Sequence, residues 1–343
     1  MKFLISKPWV GVDIGSESVK VVALKRKGKR WALKGVAMRK LPPDAIVEGT
    51  LMIPSAISEA IRLAADELSL GKAEVVTAIK GRSVILKTIV VPRGESERVE
   101  ESIRMEAERS IPFDMADVHF DFQALEPVQE DPTQLRALLV ASKRDVVEDV
   151  RSLLVEAGLR PIIVDLEGIA LINFLELSNG TSPAESVFLA NVGATSTNVL
   201  MLQKGIPVFT REIPVGGKLY TEELQRRFHL SYEEAEVKKR QGDCDVELKE
   251  ILRQVSQQVV LEIQRSLDFA PASSREIGIQ KVYLTGGGAK TPSLQEALGE
   301  RMGIPVEILD PFERLGLDSS LRGEAEGSQF AVAFGLAMRG ESR

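Results

Sequence analysis

The chain has 343 residues, 44% of them hydrophobic and 27% charged, with a formal net charge of −6. That length can bury a substantial core and has room for two domains, and the acidic balance argues against a general nucleic-acid binder. A single cysteine, Cys244, excludes an internal disulfide, and only His119 and His229 stand beside it as soft metal ligands. Both features fit a reducing cytosol, with Cys244 read as an incidental thiol.

The first residues, MKFLISKPWVGVDIG, place Lys7 and Pro8 inside the apolar run and lead directly into a strand, so no signal peptide is expected. Residues 157–177 are apolar but carry Arg160, Asp165 and Glu167, and no stretch reaches the ~18 uninterrupted apolar residues of a membrane span. Residues 10–24, VGVDIGSESVKVVAL, read as a hairpin. Two β-rich runs flank the turn Gly15-Ser16-Glu17-Ser18, which can present several backbone N–H groups on one side as a concavity for phosphate oxygens. A third strand is expected over 30–41. A helix over 52–69 would align Ile53, Ile57, Ile61 and Leu68, and strands follow at 73–79 and 83–91.

Residues 95–165 have a different texture. ESERVEESIRMEAERSIPF predicts a charged helix with a thin apolar stripe at Val99, Ile103 and Ala107, stopped at Ile111-Pro112. Strands at 118–126 and 133–141, a helix over 143–157 and a short strand at 161–164 complete a β/α unit. A helix over 166–178 then runs into a polar break at 178–183.

Residues 188–202, FLANVGATSTNVLML, repeat the first hairpin: Asp13 falls on Asn191, Gly15 on Gly193, Ser18 on Ser196, Val21 on Val199 and Leu24 on Leu202. One glycine hairpin is weak evidence, whereas a matched pair points to two homologous lobes facing a shared cleft. A third strand, Val208 to Ile213, follows. Gly216-Gly217 opens a helix running to about His229. SYEEAEVKKR (231–240) is a short helix, and a long amphipathic helix spans about Asp245 to Phe269. KVYLTGGGAKTPSLQEAL reads as a strand, three glycines and a helix capped by Thr291 with Pro292 in its first turn. A strand at 304–308, a polar loop and a small-residue helix, Phe330 to Met338, end the chain.

These parts, in this order, resemble the actin-like ATPase superfamily, which includes actin, Hsp70, sugar kinases, FtsA and MreB. The resemblance implies an α/β fold of two duplicated lobes around a nucleotide cleft, with an inserted subdomain placed as in FtsA. Lobe I would be residues 1–180, with the insert at about 83–165. Lobe II would be 181–343, its last helix placed to pack back toward lobe I. Implied cofactors are ATP and Mg²⁺. One phosphate loop would comprise Asp13, Gly15, Ser16, Glu17, Ser18 and Lys20, with Asp13 anchoring the metal through water. The other would comprise Asn191, Gly193, Ala194, Thr195, Ser196 and Thr197, supported by Gly216 and Gly217. Glu236, with either Lys238 or Lys239, would reach the adenosine, and Gly286, Gly287 and Gly288 would lie beneath it.

Within the superfamily, four stretches follow the pattern of the PilM family of type IV pilus assembly proteins. They are VGVDIGSESVKVVAL, VVPRGESERVEESIRMEAERSIPFDMADVHFDF, LLVASKRDVVEDVRSLLVEAGLRPIIVDLEGIALINFL and NVGATSTNVLML. The likeness implies a cytoplasmic scaffold that binds the cytoplasmic N-terminal segment of PilN in a groove involving the insert. It would reach the inner-membrane assembly complex, and the membrane itself, only through that partner, and self-association stays open. One departure stands out: Asn191 replaces the aspartate that usually begins the second loop. An amide brings no charge to a hard cation, so the expectation is ATP binding with slow or negligible hydrolysis. Two other readings remain. A sugar or small-metabolite kinase would need a carboxylate base in the cleft. An FtsA-like filament protein would need a basic amphipathic anchor.

Overall fold

The computed structural model describes residues 8–28, 30–81, 84–128, 131–179, 185–241, 246–270, 278–291, 293–323, 325 and 327–340. Of the polar break expected at 178–183, residues 180–183 lie outside them, as do Cys244 and Pro292. The chain divides into two compact units, Met1–Ala78 with Leu153–Arg343 and, separately, Ile79–Ser152.

In the larger unit β1 (Trp9–Ile14), β2 (Ser18–Lys27) and β3 (Arg30–Lys40) form an antiparallel meander, with Asp13 opposite Lys20 and Ser18 opposite Lys40. Val10, Val12, Val21 and Val22 are all buried, which explains why these strands read as continuous apolar runs rather than alternating ones. A short hairpin that the sequence did not signal, β4 (Ile46–Val47) with β5 (Thr50–Leu51), precedes α1 (Pro54–Glu67). Helix α1 is shorter than expected because proline favours the first helical turn. It buries Ile57, Ala60, Ile61 and Ala64, whereas Ile53 sits at the N-cap, 39% exposed. β6 (Glu74–Ile79) then lies parallel to β1.

The smaller unit contains β7 (Val84–Pro92), α2 (Ser96–Ser110), β8 (Val118–Pro127) and β9 (Gln134–Lys143), with β9 central in an antiparallel sheet of order β7-β9-β8. Val99, Ile103 and Ala107 of α2 join Ile89, Val91, Leu139 and Ala141 in its core. The helix ends where Ile111, before Pro112, turns to extended backbone. From there α3 (Arg144–Glu156) leads to β10 (Arg160–Leu166) and α4 (Glu167–Asn179).

The second half repeats the first. β11 (Ser186–Val192), β12 (Thr197–Gln203) and β13 (Ile206–Ile213) form another meander, followed by α5 (Lys218–Phe228), α6 (Tyr232–Gln241) and α7 (Val246–Asp268). β14 (Lys281–Thr285), α8 (Leu294–Met302), β15 (Val306–Ile308), α9 (Pro311–Leu315) and α10 (Ala331–Arg339) complete it. The two five-stranded sheets share one topology, β3-β2-β1-β6-β10 matching β13-β12-β11-β14-β15 strand for strand. The cap expected of Thr291 is not formed. Ser293 holds the N-cap position in the left-handed region, and Thr291 is buried, receiving the Leu294 N–H on its carbonyl at 3.2 Å. The glycine turn extends through Lys290, so the helix starts later than the Thr-Pro signal suggests.

Helices α4 and α10 meet in the main core, where Phe174, Phe312, Phe330 and Phe334 pack edge to face at 5.6–6.2 Å. The small residues of α10 are there for close approach. A Cβ on Gly335 would lie 1.8 Å from the Ala170 carbonyl oxygen, and one on Gly11 of β1 would lie 2.1 Å from that of Ala333.

Candidate functional site

The glycine turns at the ends of the β1–β2 and β11–β12 hairpins have the same geometry. The Gly15 N–H donates to the Ser18 carbonyl at 3.0 Å, and the Gly193 N–H donates to the Ser196 carbonyl at 2.9 Å. Each bond closes the turn and leaves the intervening N–H groups, of Ser16 and Glu17 and of Ala194 and Thr195, outside the strand ladders. The two turns face each other: the Thr195 hydroxyl donates to the Ser16 hydroxyl at 3.0 Å. Duplicated sheets therefore bring two anion-accepting concavities together.

Around the first turn, Lys20 folds back over Gly15. Its Nζ donates to Asp13 Oδ2 at 3.2 Å and to the Ser18 carbonyl at 3.3 Å, and a Cβ on Gly15 would stand 2.8 Å from it. Asp13 itself is only 8% exposed. The second turn is braced from behind by the loop that opens α5. The Gly217 N–H donates to the Gly193 carbonyl at 2.9 Å and the Lys218 N–H to the Ala194 carbonyl at 2.8 Å. No side chain fits at Gly216, whose Cβ would lie 2.6 Å from both of those carbonyl oxygens. Thr197 donates to the Val215 carbonyl at 2.6 Å, and Ser196 to Glu212 at 2.8 Å.

On α6, Glu236 accepts hydrogen bonds from Lys239 and Thr221, while Lys239 Nζ reaches the Thr221 hydroxyl at 2.9 Å and the Gly217 carbonyl at 3.4 Å. Helical spacing decides between the two lysines. Lys239, three residues on, shares the Glu236 face, whereas Lys238 turns away and stacks 4.3 Å over the Phe228 ring. Gly286, at φ 87°, bonds the Ser328 carbonyl through its N–H at 3.1 Å, and a Cβ there would lie 2.4 Å from Asn191 Oδ1. The Gly288 N–H reaches the Val192 carbonyl at 2.8 Å, and Gly287 faces Gln329. Gly286 and Gly288 thus press against the strand end that carries Asn191, and Gly287 does not.

One buried polar contact beside the second turn escaped the sequence reading. Glu167, the first residue of α4 and 5% exposed, accepts a hydrogen bond from Asn191 Nδ2 at 2.8 Å and one from Asn198 Nδ2 at 3.4 Å. Its only signal was a carboxylate interrupting an apolar stretch, and the partners lie 24 and 31 residues away. A buried carboxylate needs such donors. The amide of Asn191 is suited to this contact, since an aspartate there would set two carboxylates against each other.

Contacts also cross from the first half to the second. Besides Ser16–Thr195, the Tyr232 hydroxyl donates to Glu17 Oε1, and Lys218 lies 3.9 Å from Asp44. Burial, and then the negative charge of Glu236, push the Glu17 carboxyl up, opposed by Lys239, Lys40 and Lys20.

The residues fit a nucleoside polyphosphate in one specific respect: two backbone turns closed in the same way meet through the Ser16 and Thr195 hydroxyls, with Lys20 on the first turn and Lys239 on the loop that braces the second. They fit a metal ion less directly. Among the described residues no cluster of three His, Cys, Asp or Glu side chains could hold a cation, and Asp13 is already engaged by Lys20. A magnesium ion would have to arrive with phosphate and water ligands.

Duplicated meanders with matching turns define the actin-like ATPase fold. Solved structures agree: ethanolamine utilization protein EutJ from Carboxydothermus hydrogenoformans shares the fold at TM-score 0.61 and 14% identity, covering 98% of this chain and 90% of that one. MreB5 of Spiroplasma citri, in its ADP-bound form, does so at TM-score 0.53 and 13% identity, covering 98% and 97%. A much nearer likeness is a structure described as the PilM-PilN type IV pilus biogenesis complex, at TM-score 0.81 and 32% identity, covering 96% of this chain and 98% of that one. Residues 11–341 match the family model for type IV pilus assembly protein PilM. The chain belongs to the PilM family.

Proposed function

We propose that the protein is an ATP-binding scaffold of the type IV pilus inner-membrane assembly complex, docking the cytoplasmic N-terminal segment of PilN and hydrolysing ATP slowly or not at all. The observation that carries the nucleotide half is the pair of opposed turns, whose Ser16 and Thr195 hydroxyls meet at 3.0 Å. The PilN half rests on family membership and on the partner present in the similar complex. In this reading Asp13, Gly15, Ser16, Ser18 and Lys20 hold phosphate from one side and Gly193, Ala194, Thr195, Ser196 and Thr197 from the other. Gly216 and Gly217 brace the second turn, Glu236 and Lys239 flank the nucleoside, and Gly286, Gly287 and Gly288 floor it. Bound Mg²⁺ would supply charge neutralisation to the phosphates, with Asp13 as the protein group nearest in kind to a water-mediated anchor.

Slow hydrolysis is the reading that Asn191 supports: its amide brings no charge to a hard cation and is turned onto Glu167 Oε1 at 2.8 Å. The nucleotide would then act chiefly as a ligand that shifts a conformational equilibrium. Equilibrium titration of ATP–Mg²⁺ and single-turnover hydrolysis on the full chain test this. Saturable binding with turnover far below the ~1–10³ s⁻¹ of ordinary enzymes is expected. A rate within that range that Asn191→Asp leaves unchanged would contradict it.

A further inference from the structure

The first turn carries an anion of its own in the place where an anionic ligand would be received. Glu17 projects from the middle of that turn, beside the N–H groups of Ser16 and Glu17 itself. Its carboxylate lies in the field of Lys20 from β2, Lys40 from β3 and Lys239 from α6, with Glu236 as the one negative neighbour. Tyr232, at the start of α6, holds it by a hydrogen bond from the other half of the fold. The adjoining Ser16 and Thr195 hydroxyls bond each other at 3.0 Å, so the Thr195 proton that a phosphate oxygen would accept is spent on Ser16. A polyphosphate inserted between the turns would replace this bond, and the Glu17–Tyr232 contact joins the same two halves beside it.

We propose that Glu17 is an internal stand-in for the ligand's phosphate. Its carboxylate puts a negative charge on the turn that the phosphate would approach and, through Tyr232, ties the two halves together until a nucleoside polyphosphate displaces it. This rests on the nucleotide-binding reading above and adds the residue that sets affinity at that site. Glu17 would therefore oppose binding even though it sits within the phosphate loop. Lys20 holds Asp13 and Lys239 holds Glu236, so neither lysine neutralises Glu17 by direct pairing. The energetic basis is ordinary: like charges at short range disfavour each other.

The test uses the full chain, titrated with ATP and separately with inorganic pyrophosphate, in the wild type, Glu17→Gln and Tyr232→Phe. Glu17→Gln removes the charge and keeps the shape, so it should bind both ligands about tenfold more tightly, the scale of one lost repulsion at short range. Tyr232→Phe keeps the charge and loosens its anchor, and should bind a few-fold more tightly. It should also show faster amide hydrogen exchange in residues 232–241 without ligand. Wild-type binding that Glu17→Gln leaves equal or weakens would overturn the inference while leaving the nucleotide reading intact. Absence of binding in all three proteins would overturn both, and unchanged exchange in Tyr232→Phe would show that the contact does not hold α6.

Discussion

At the scale of single residues, the second turn shows why an amide stands where a carboxylate is usual. Asn191 Nδ2 donates to Glu167 at 2.8 Å, so Asn191→Asp would not simply restore a missing metal anchor. It would place two carboxylates in contact in a buried setting and raise the pKa of the pair. The sign of the linkage follows. A carboxyl whose folded pKa lies above its unfolded one costs no stability at low pH, and the cost appears as pH rises through and beyond the ordinary carboxylate range. Asn191→Asp should therefore lose about 1–3 kcal/mol at pH 8 and markedly less at pH 5, read by urea unfolding at both. An equal loss at both pH values would contradict the account. Glu17 follows the same rule in the wild type, because burial and Glu236 raise its pKa. Glu17→Gln should gain relative stability above the carboxylate range and none below it.

At the scale of elements, the crossing of α10 with α4 and β1 depends on missing side chains. A Cβ at position 335 would meet backbone, the Ala170 carbonyl oxygen at 1.8 Å, which has no rotamer with which to yield. Gly335→Val should cost about 1–3 kcal/mol or more and lower the melting temperature by several degrees. Gly278→Ala, where nothing lies within 4 Å of the added methyl, should be near neutral. This crossing was legible in sequence as a run of small residues in an apolar helix, as were both hairpins, because strand runs and glycine turns are written locally. The two-residue strands β4 and β5, the five-residue α9 and the true start of α8 were not legible. Elements that short take their conformation from tertiary contacts, and the Thr291-Pro292 signal was overridden by continuation of the glycine turn. Glu167 was hidden for a related reason: a carboxylate at a strand–helix junction gains meaning only from the Asn191 and Asn198 that fold against it.

At the scale of the whole molecule, duplication is the feature from which the rest follows. Two copies of one meander, in sheets of matching order, bring two matching glycine turns face to face, and in the proposed reading a ligand gripped by both would bias their separation. The segment Ile79–Ser152 is a compact unit of its own, and in the proposed reading it would contribute to the groove for PilN. The central claim is that this scaffold binds PilN and that nucleotide changes that binding. It is tested most directly by calorimetric titration of a synthetic PilN N-terminal peptide into the full chain, with and without ATP–Mg²⁺, followed by hydrogen exchange on the complex. The account predicts saturable binding, an affinity that differs between the two conditions, and protection that includes residues 79–152. Failure of the peptide to bind in either condition would contradict it.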